Sequence, residues 1–190
     1  AVDLRPALGA AKANGYTYLH TDTHWTPLGA TVAANAIAAH LAGADIGDTV
    51  TTFTRRDLPP AEHSGDLTRF VRIAAFARGL APQPDRLDSF EAEASGDSGG
   101  GDLFGDAAGP VALVGTSYSA NAKWSFEAAL KLALSRDVLN VAAEGEGPFK
   151  PMSDYLGSGT FRDAPPRLVI WEVPERFVDD AYDAAAFRLA

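Results

Sequence analysis

The chain has 190 residues, 46% of them hydrophobic, and carries a formal net charge of −9. That is enough length and apolar content for one domain with a substantial core, and no apolar run approaches membrane-spanning length. The acid excess, with Lys and Arg concentrated nowhere, excludes a nucleic-acid partner. The absence of Cys excludes disulfide, thiolate and zinc-finger chemistry and leaves the compartment open.

The chain begins Ala1-Val2-Asp3-Leu4, with neither an initiator Met nor a signal-like apolar region, and is expected to be a mature product or, preferably, an excised piece. Arg5 to Asn14 is Ala-rich and followed by Gly15, the pattern of a short helix, and Tyr16 to His20 has strand composition. Extended through His24, this segment would project His20, Asp22 and His24 to one side. Thr26 as N-cap, Pro27 at the first helical position and an Ala-rich run predict a helix from Pro27 to Ala42. Thr49 to Thr54 is β-branched and predicts a strand. Arg55 to Gly79 shows no clear period and is expected to be irregular. Residues 91–109, rich in Gly, Ser and acids and including Gly99-Gly100-Gly101, are expected to form a flexible loop.

The second half is more regular. Pro110 to Val114 is a continuous apolar run stopping at Gly115, as for a buried strand entering a turn, and Phe126, Ala129, Leu130, Ala133 and Leu134 fall at helical spacing. Val138 to Ala142 and Arg167 to Val173 complete the strands. Alternating strands and helices predict a three-layer α/β/α sandwich with a mostly parallel sheet, whose functional residues gather at the carboxyl ends of the strands. Ser117, Asp22 and His24 all fall at such ends.

Ser117, His24 and Asp22 can serve as nucleophile, base and orienting acid, since a serine hydroxyl needs a base and the base an acidic partner. The Ser117 amide is the expected first oxyanion donor. Gly115-Thr116-Ser117-Tyr118-Ser119 is not the Gly-x-Ser-x-Gly elbow, because position 119 is Ser. Taken singly, each residue has a plainer explanation: Ser117 as a capping residue, Asp22 as a turn-former, His24 as a satisfied half-buried histidine. His40 near a helix end suits the dipole, and His63 carries no argument. A zinc site built on His20, Asp22 and His24 is the competing reading, ranked lower for want of a fourth ligand, so no metal and no cofactor are expected. Trp25, Trp124 and Trp171 are core aromatics by default, yet each could stack on a sugar ring.

Three stretches, Thr21-Asp22-Thr23-His24-Trp25-Thr26-Pro27, Gly115-Thr116-Ser117-Tyr118-Ser119-Ala120-Asn121 and Trp171-Glu172-Val173-Pro174-Glu175-Arg176-Phe177, together resemble the SGNH hydrolase-like domain of the alginate O-acetyltransferases. Gly145-x-Gly147-Pro148 also fits. The resemblance implies that residues 1–190 form one such domain lacking N-terminal family sequence. It implies a triad of Asp22, His24 and Ser117 that moves acetyl groups onto hydroxyls of an exported polysaccharide in the periplasm. A membrane-bound acyltransferase would deliver the acetyl group, within an exopolysaccharide export complex. Tyr118, Asn121, Trp25, Trp124, Trp171 and Arg176 are the expected substrate-binding residues. An acidic protein acting on an anionic polymer needs local cations, for which Lys123, Lys131, Lys150 and Arg176 are the candidates. The alternatives are an acetylesterase using the same triad with water as acceptor, and a catalytically silent polysaccharide-binding subunit of a secretion complex.

Overall fold

The computed structural model describes residues 1–47, 49–70, 79–95 and 111–179. In chain order these residues form α1 (Arg5–Ala11), α2 (Pro27–His40), β1 (Phe53–Asp57), β2 (Ala61–His63), β3 (Asp85–Leu87), β4 (Phe90–Ala94), β5 (Val111–Val114), α3 (Ser117–Ala120), α4 (Phe126–Leu134), β6 (Val138–Asn140), α5 (Phe149–Leu156), α6 (Gly159–Asp163) and β7 (Leu168–Trp171). Short 3-10 turns occupy Asp66–Phe70, Ala122–Trp124 and Glu175–Phe177.

Strand β5 is the centre of the structure. All four of its residues are fully buried, and it pairs in parallel with β6 on one side and β7 on the other. A parallel strand covered on both faces must be apolar throughout, which is what the Val-Ala-Leu-Val run supplies. Its side chains alternate between two cores. Val111 and Leu113 pack with Ala30, Ala33, Ala34 and Ile37 of α2 and Ala129, Leu130 and Leu134 of α4. Ala112 and Val114 pack with Met152 and Tyr155 of α5 and Phe161 of α6. Helices thus cover both faces of the sheet, and the expected α/β/α layering and parallel sheet are observed.

Helix α2 begins as its sequence predicts. Thr26 accepts from the Gly29 N–H through Oγ1 at 3.1 Å and donates that hydroxyl to the Tyr16 carbonyl at 2.6 Å, and Pro27 occupies the first turn. The helix is stabilised by small residues that let it approach its neighbours closely. Gly29 is the extreme case, because a Cβ there would lie 2.1 Å from the Thr17 carbonyl oxygen. The first turn of α2 is therefore pressed against the segment that leads into Asp22 and His24.

Three expectations are corrected. Tyr16 to His20 is not a strand: the chain reverses, with Leu19 N–H donating to His24 O at 3.1 Å, Thr26 N–H donating to Thr17 O at 3.0 Å, and a lone antiparallel bridge between Tyr18 and Trp25. The strand expected at Thr49 to Thr54 starts only at Phe53 and runs on to Asp57, inside a region expected to be irregular, which also holds β2 and a 3-10 turn; residues 71–78 of that region lie outside the described residues. Residues 91–94 of the expected loop belong to β4, which pairs with β1 from Phe53↔Ala94 to Asp57↔Phe90. Residues 96–109 of that loop lie outside the described residues. The β1–β4 ribbon escapes pattern reading because its strands are mostly exposed and charged: Arg56 faces Glu91 and Glu93 across the ladder, and exposed charged residues carry no hydrophobic period.

Replacing Gly29 by Ala is expected to lower the unfolding free energy by at least about 2 kcal/mol through overpacking against Thr17. Replacing Gly9 by Ala, where a Cβ meets nothing within 4 Å on the exposed side of α1, is expected to raise it by about 0.5–1 kcal/mol. Urea unfolding of the two variants measures both, and a Gly29→Ala variant as stable as the native chain would contradict the close approach.

Candidate active site

Ser117 follows the carboxyl end of β5 directly. Thr116 caps the short α3 by accepting from the Tyr118 N–H, and its own N–H and hydroxyl donate to Glu172 at 2.8 and 2.9 Å. Glu172 itself follows β7, the neighbouring strand, and receives a further bond from the Ser119 hydroxyl at 3.2 Å. Burial pushes the Glu172 carboxyl up, against the pull of its bonds from Thr116 and Ser119 and of the Arg176 charge. The turn that carries Ser117 is thus held by a partly buried acid just past the adjacent strand. The Ser117 N–H sits at the first helical position, where no intrahelical acceptor exists.

The reversed loop brings His24 to Ser117 across 93 residues of sequence, with His24 Nε2 2.7 Å from Ser117 Oγ. Asp22 Oδ1 accepts from the His24 backbone N–H at 3.1 Å and from His24 Nδ1 at 2.5 Å. The Asp-x-His spacing explains itself here: a carboxylate hydrogen-bonding two residues ahead closes an Asx-type turn, and the same oxygen then meets the ring of that residue. With Nδ1 donating to Asp22, Nε2 is free to accept a hydrogen bond from the Ser117 hydroxyl.

Asp22 is 6% exposed, and its other oxygen is also occupied. Oδ2 accepts from His63 Nε2 at 2.7 Å and from the Asp66 N–H at 3.3 Å. Burial alone would raise this carboxyl, but the hydrogen bonds from His63 and His24 and the positive potential of His24 outweigh it, leaving the pKa lowered to about 2. Gly65 makes room for the arrangement, since a Cβ there would lie 2.3 Å from Asp22 Cβ. Asp85 fixes the other side of the loop, accepting from the His20 N–H at 2.9 Å and from the Thr21 N–H and hydroxyl at 2.8 and 2.5 Å.

Aromatic rings wall the histidine. Trp124 stacks on His24 with centroids 4.9 Å apart at 16°, and Tyr118 lies 4.6 Å from it on another side. The Trp124 indole N–H donates to Ser117 O at 3.0 Å and that of Trp25 to Tyr118 O at 3.1 Å, while the Tyr118 hydroxyl donates to Thr23 O.

Of the residues expected to contact substrate, Trp25, Trp124 and Tyr118 are buried. They are 4%, 2% and 8% exposed: Trp124 and Tyr118 pack on His24, and Trp25 packs on Tyr118 and Phe126, so little ring surface is left open to a sugar. Trp171 keeps 39% of its surface at the carboxyl end of β7, anchored by its indole N–H on Pro148 O at 2.9 Å. Asn121 is partly exposed and caps the following 3-10 turn through Oδ1. Arg176 is exposed, with its guanidinium 5.6 Å from the Tyr118 ring centre. Lys131 is committed to Glu127 and Asp137, and Lys150 to Glu146 and Asp154. Among the described residues Arg176 and Lys123 form no ion pair.

The ligand set considered for zinc is not assembled, because His20 points outward, its side chain 59% exposed and facing Asp85 at 3.3 Å. Asp22, His24 and Asp66 do have ligand atoms within 4.8 Å of one another, each already engaged: Asp66 accepts from the Thr23 N–H and hydroxyl, both at 3.0 Å. His63, Asp66, Asp85 and the bracing role of Glu172 were not legible in the sequence. No spacing ties His63 or Asp85 to the Asp-x-His motif, and only the fold brings them to it.

A family model described as the SGNH hydrolase-like domain, acetyltransferase AlgX, matches residues 1–175. The probable alginate O-acetylase AlgJ of Azotobacter vinelandii is 43% identical over 190 residues, covering 98% of this chain and 49% of that protein. AlgJ of Pseudomonas syringae pv. tomato is 44% identical over 190 residues, with the same coverage of each chain, 98% and 49%. The chain thus spans about half the length of these relatives. A solved structure of the O-acetyltransferase domain of Pseudomonas putida AlgJ superposes with a TM-score of 0.85 at 40% identity, covering 99% of this chain and 63% of that one.

A carboxyl lowered to about 2 on folding, from 3.8, contributes stability that is fully present above the unfolded value and is lost as pH falls through the folded one. Between about pH 6 and pH 2 the native chain is therefore expected to lose about 2 kcal/mol more unfolding free energy than the Asp22→Asn variant. Chemical denaturation across that range measures the difference, and parallel losses would remove Asp22 as its source.

Proposed function

This chain belongs to the family of the SGNH hydrolase-like, AlgX-type acetyltransferase domain, and on that premise we propose that it is a single O-acetyltransferase domain working through an acetyl-Ser117 intermediate on hydroxyls of an alginate-like polysaccharide. The observation that carries the reading is the continuous hydrogen-bond chain from Ser117 Oγ through His24 to Asp22, at 2.7 and 2.5 Å.

Each half-reaction follows from that chain. Ser117 Oγ attacks the carbonyl carbon of the acetyl donor as His24 Nε2 takes its proton, and Asp22 stabilises the imidazolium through Nδ1. The Ser117 N–H is placed to donate to the resulting oxyanion. Collapse breaks the bond to the donor's leaving group, which takes the proton from His24, and leaves acetyl-Ser117. A sugar hydroxyl then attacks the acetyl carbon and gives its proton to His24; collapse returns that proton to Ser117 Oγ and releases the O-acetylated sugar. Trp124 stacked on His24 and Tyr118 beside it hold the imidazole through all four proton transfers and keep that side of it dry.

The acceptor is assigned from chemistry and kinship together. The relatives are named alginate O-acetylases, and a uronate polymer bears carboxylates that Arg176 and Lys123 could receive, with Trp171 and Asn121 beside the same strand ends. We place the reaction in the periplasm, with a membrane-bound acyltransferase as acetyl source and an exopolysaccharide export complex as its setting.

Replacing Ser117 by Ala is expected to lower acetyl transfer from a small acetyl ester to oligouronate by more than about 10³-fold, and adding His24→Ala to cost little more, because the groups act as a unit. Chromatography of O-acetylated oligosaccharide beside assay of free acetate measures transfer and hydrolysis separately. Transfer surviving in Ser117→Ala would overturn the assignment, and acetate as the sole product would make the enzyme an esterase. Replacing Arg176 by Ala is expected to raise KM for oligouronate about ten-fold and leave KM for a neutral oligosaccharide unchanged, a charge-assisted contact being worth about 1.5–3 kcal/mol. Equal effects on the two acceptors would remove Arg176 from carboxylate recognition.

A further inference from the structure

Asp22 is held at both oxygens, and the second hold comes from a part of the fold that contributes nothing to the parallel sheet. Strands β2 and β3 form a separate two-stranded ribbon in which His63 lies directly opposite Asp85. From one rung of this ribbon the two side chains reach the same loop: His63 Nε2 meets Asp22 Oδ2 at 2.7 Å, and Asp85 accepts from the N–H groups of His20 and Thr21. The Thr21 hydroxyl, which donates to Asp85, also lies 3.5 Å from His63 O, so loop and ribbon are joined on either side of the acid. The His63 ring is 16% exposed and stands edge-on to Trp124 at 5.3 Å, the same Trp124 that stacks on His24. His63, Trp124 and His24 thus form a continuous run of rings around Asp22.

The need for such a hold is mechanical. The terminal torsion of an Asp side chain is broad and two-fold, so a carboxylate bound at one oxygen alone can swing and exchange its oxygens. If it swings, the His24 ring loses the partner that fixes its tautomer and its aim at Ser117. The Asp66 N–H, at 3.3 Å, is a longer second contact to Oδ2, whereas His63 gives a short bond from a rigid, packed ring. A buried carboxylate oxygen stripped of its donor also carries an uncompensated desolvation cost.

We propose that His63 is a positioning residue of the triad, its Nε2–H pinning Asp22 Oδ2 so that Oδ1 stays on His24 Nδ1 through the catalytic cycle. The proposal rests on the triad reading above. It assigns a working role to the β2–β3 ribbon: the acid of the triad is oriented from the ribbon, and the nucleophile is presented from the sheet.

The test exploits where amides place their N–H groups. Gln at position 63 can set its Nε2 where the histidine Nε2 stands, whereas Asn sets its nitrogen nearer the position of Nδ1, short of Asp22; both are polar and small enough for the site. In burst kinetics with p-nitrophenyl acetate, His63→Asn is expected to lower the acetylation rate constant about 10²-fold, the order lost when a catalytic group is misplaced by about an ångström. KM should stay within about two-fold, since no ground-state contact to substrate is removed. His63→Gln is expected to recover most of the loss. His63→Asn as fast as the native protein, or Asn and Gln slowed equally, would overturn the proposal, the second because shape and not the donor would then matter. Ser117→Ala, assayed alongside, separates the two levels: a burst surviving in that variant overturns the triad itself, whereas no burst there with an unimpaired His63→Asn overturns only the role of His63.

Discussion

The rest of the site depends on one buried charge. Asp22 is almost wholly enclosed, and a carboxylate there is tolerable only because four donors surround it, two from His24, one from His63 and one from the Asp66 backbone. Burial pushes towards the neutral acid and the donors push harder the other way, leaving the pKa at about 2. An ionised Asp22 fixes the proton on His24 Nδ1, which turns Nε2 into the acceptor facing Ser117. Remove the charge and the relay loses its direction even if every atom stays in place.

Two scaffolds of different character meet at that charge. Ser117, the proposed nucleophile, follows the end of a fully buried central strand, with Glu172, just past the neighbouring strand, gripping the turn through Thr116. Asp22 and His24, the proposed acid and base, stand on a loop with almost no regular structure of its own. It is held instead by side chains: Asp85 from one side, Thr26 at the helix cap, Gly65 admitting a close approach, and His63 on the carboxylate itself. A loop built this way is precise only while its contacts are complete, so substitutions in the ribbon should reach the chemistry although the ribbon lies outside the sheet.

The layout of the fold was legible where burial is two-sided and repetitive. The Val111 to Val114 run, the Thr26-Pro27 cap and the spacing from Phe126 to Leu134 announced β5, α2 and α4, and the Asp-x-His and Gly-Thr-Ser motifs identified three residues that the structure brings into one hydrogen-bond chain. What escaped was whatever polar contacts decide. The strand alternation assumed for Tyr16 to His24 failed because the chain turns back on itself there, which put His20 outside. The β1–β4 ribbon is paired by its backbone and lined with exposed charges such as Arg56 between two glutamates, and such a strand has no apolar signature. His63 looked like an isolated histidine in an irregular stretch, since a contact made across 41 residues leaves no local pattern. Trp25 and Trp124 suggested sugar platforms by residue type, yet their large apolar faces are spent on packing, Trp124 on His24 and Trp25 on Tyr118 and Phe126.

On the proposed reading, this hydrogen-bond chain makes Ser117 the group that carries acetyl. Its most direct test is acid quenching of the protein during turnover of a small acetyl ester, followed by peptide mapping by mass spectrometry. A single acetyl group is expected on the peptide containing Ser117, fragmenting to place it on that serine, with greatly reduced labelling when Asp22 is replaced by Asn. Acetyl found on another residue, or Ser117 labelled equally with and without the Asp22 carboxylate, would contradict it.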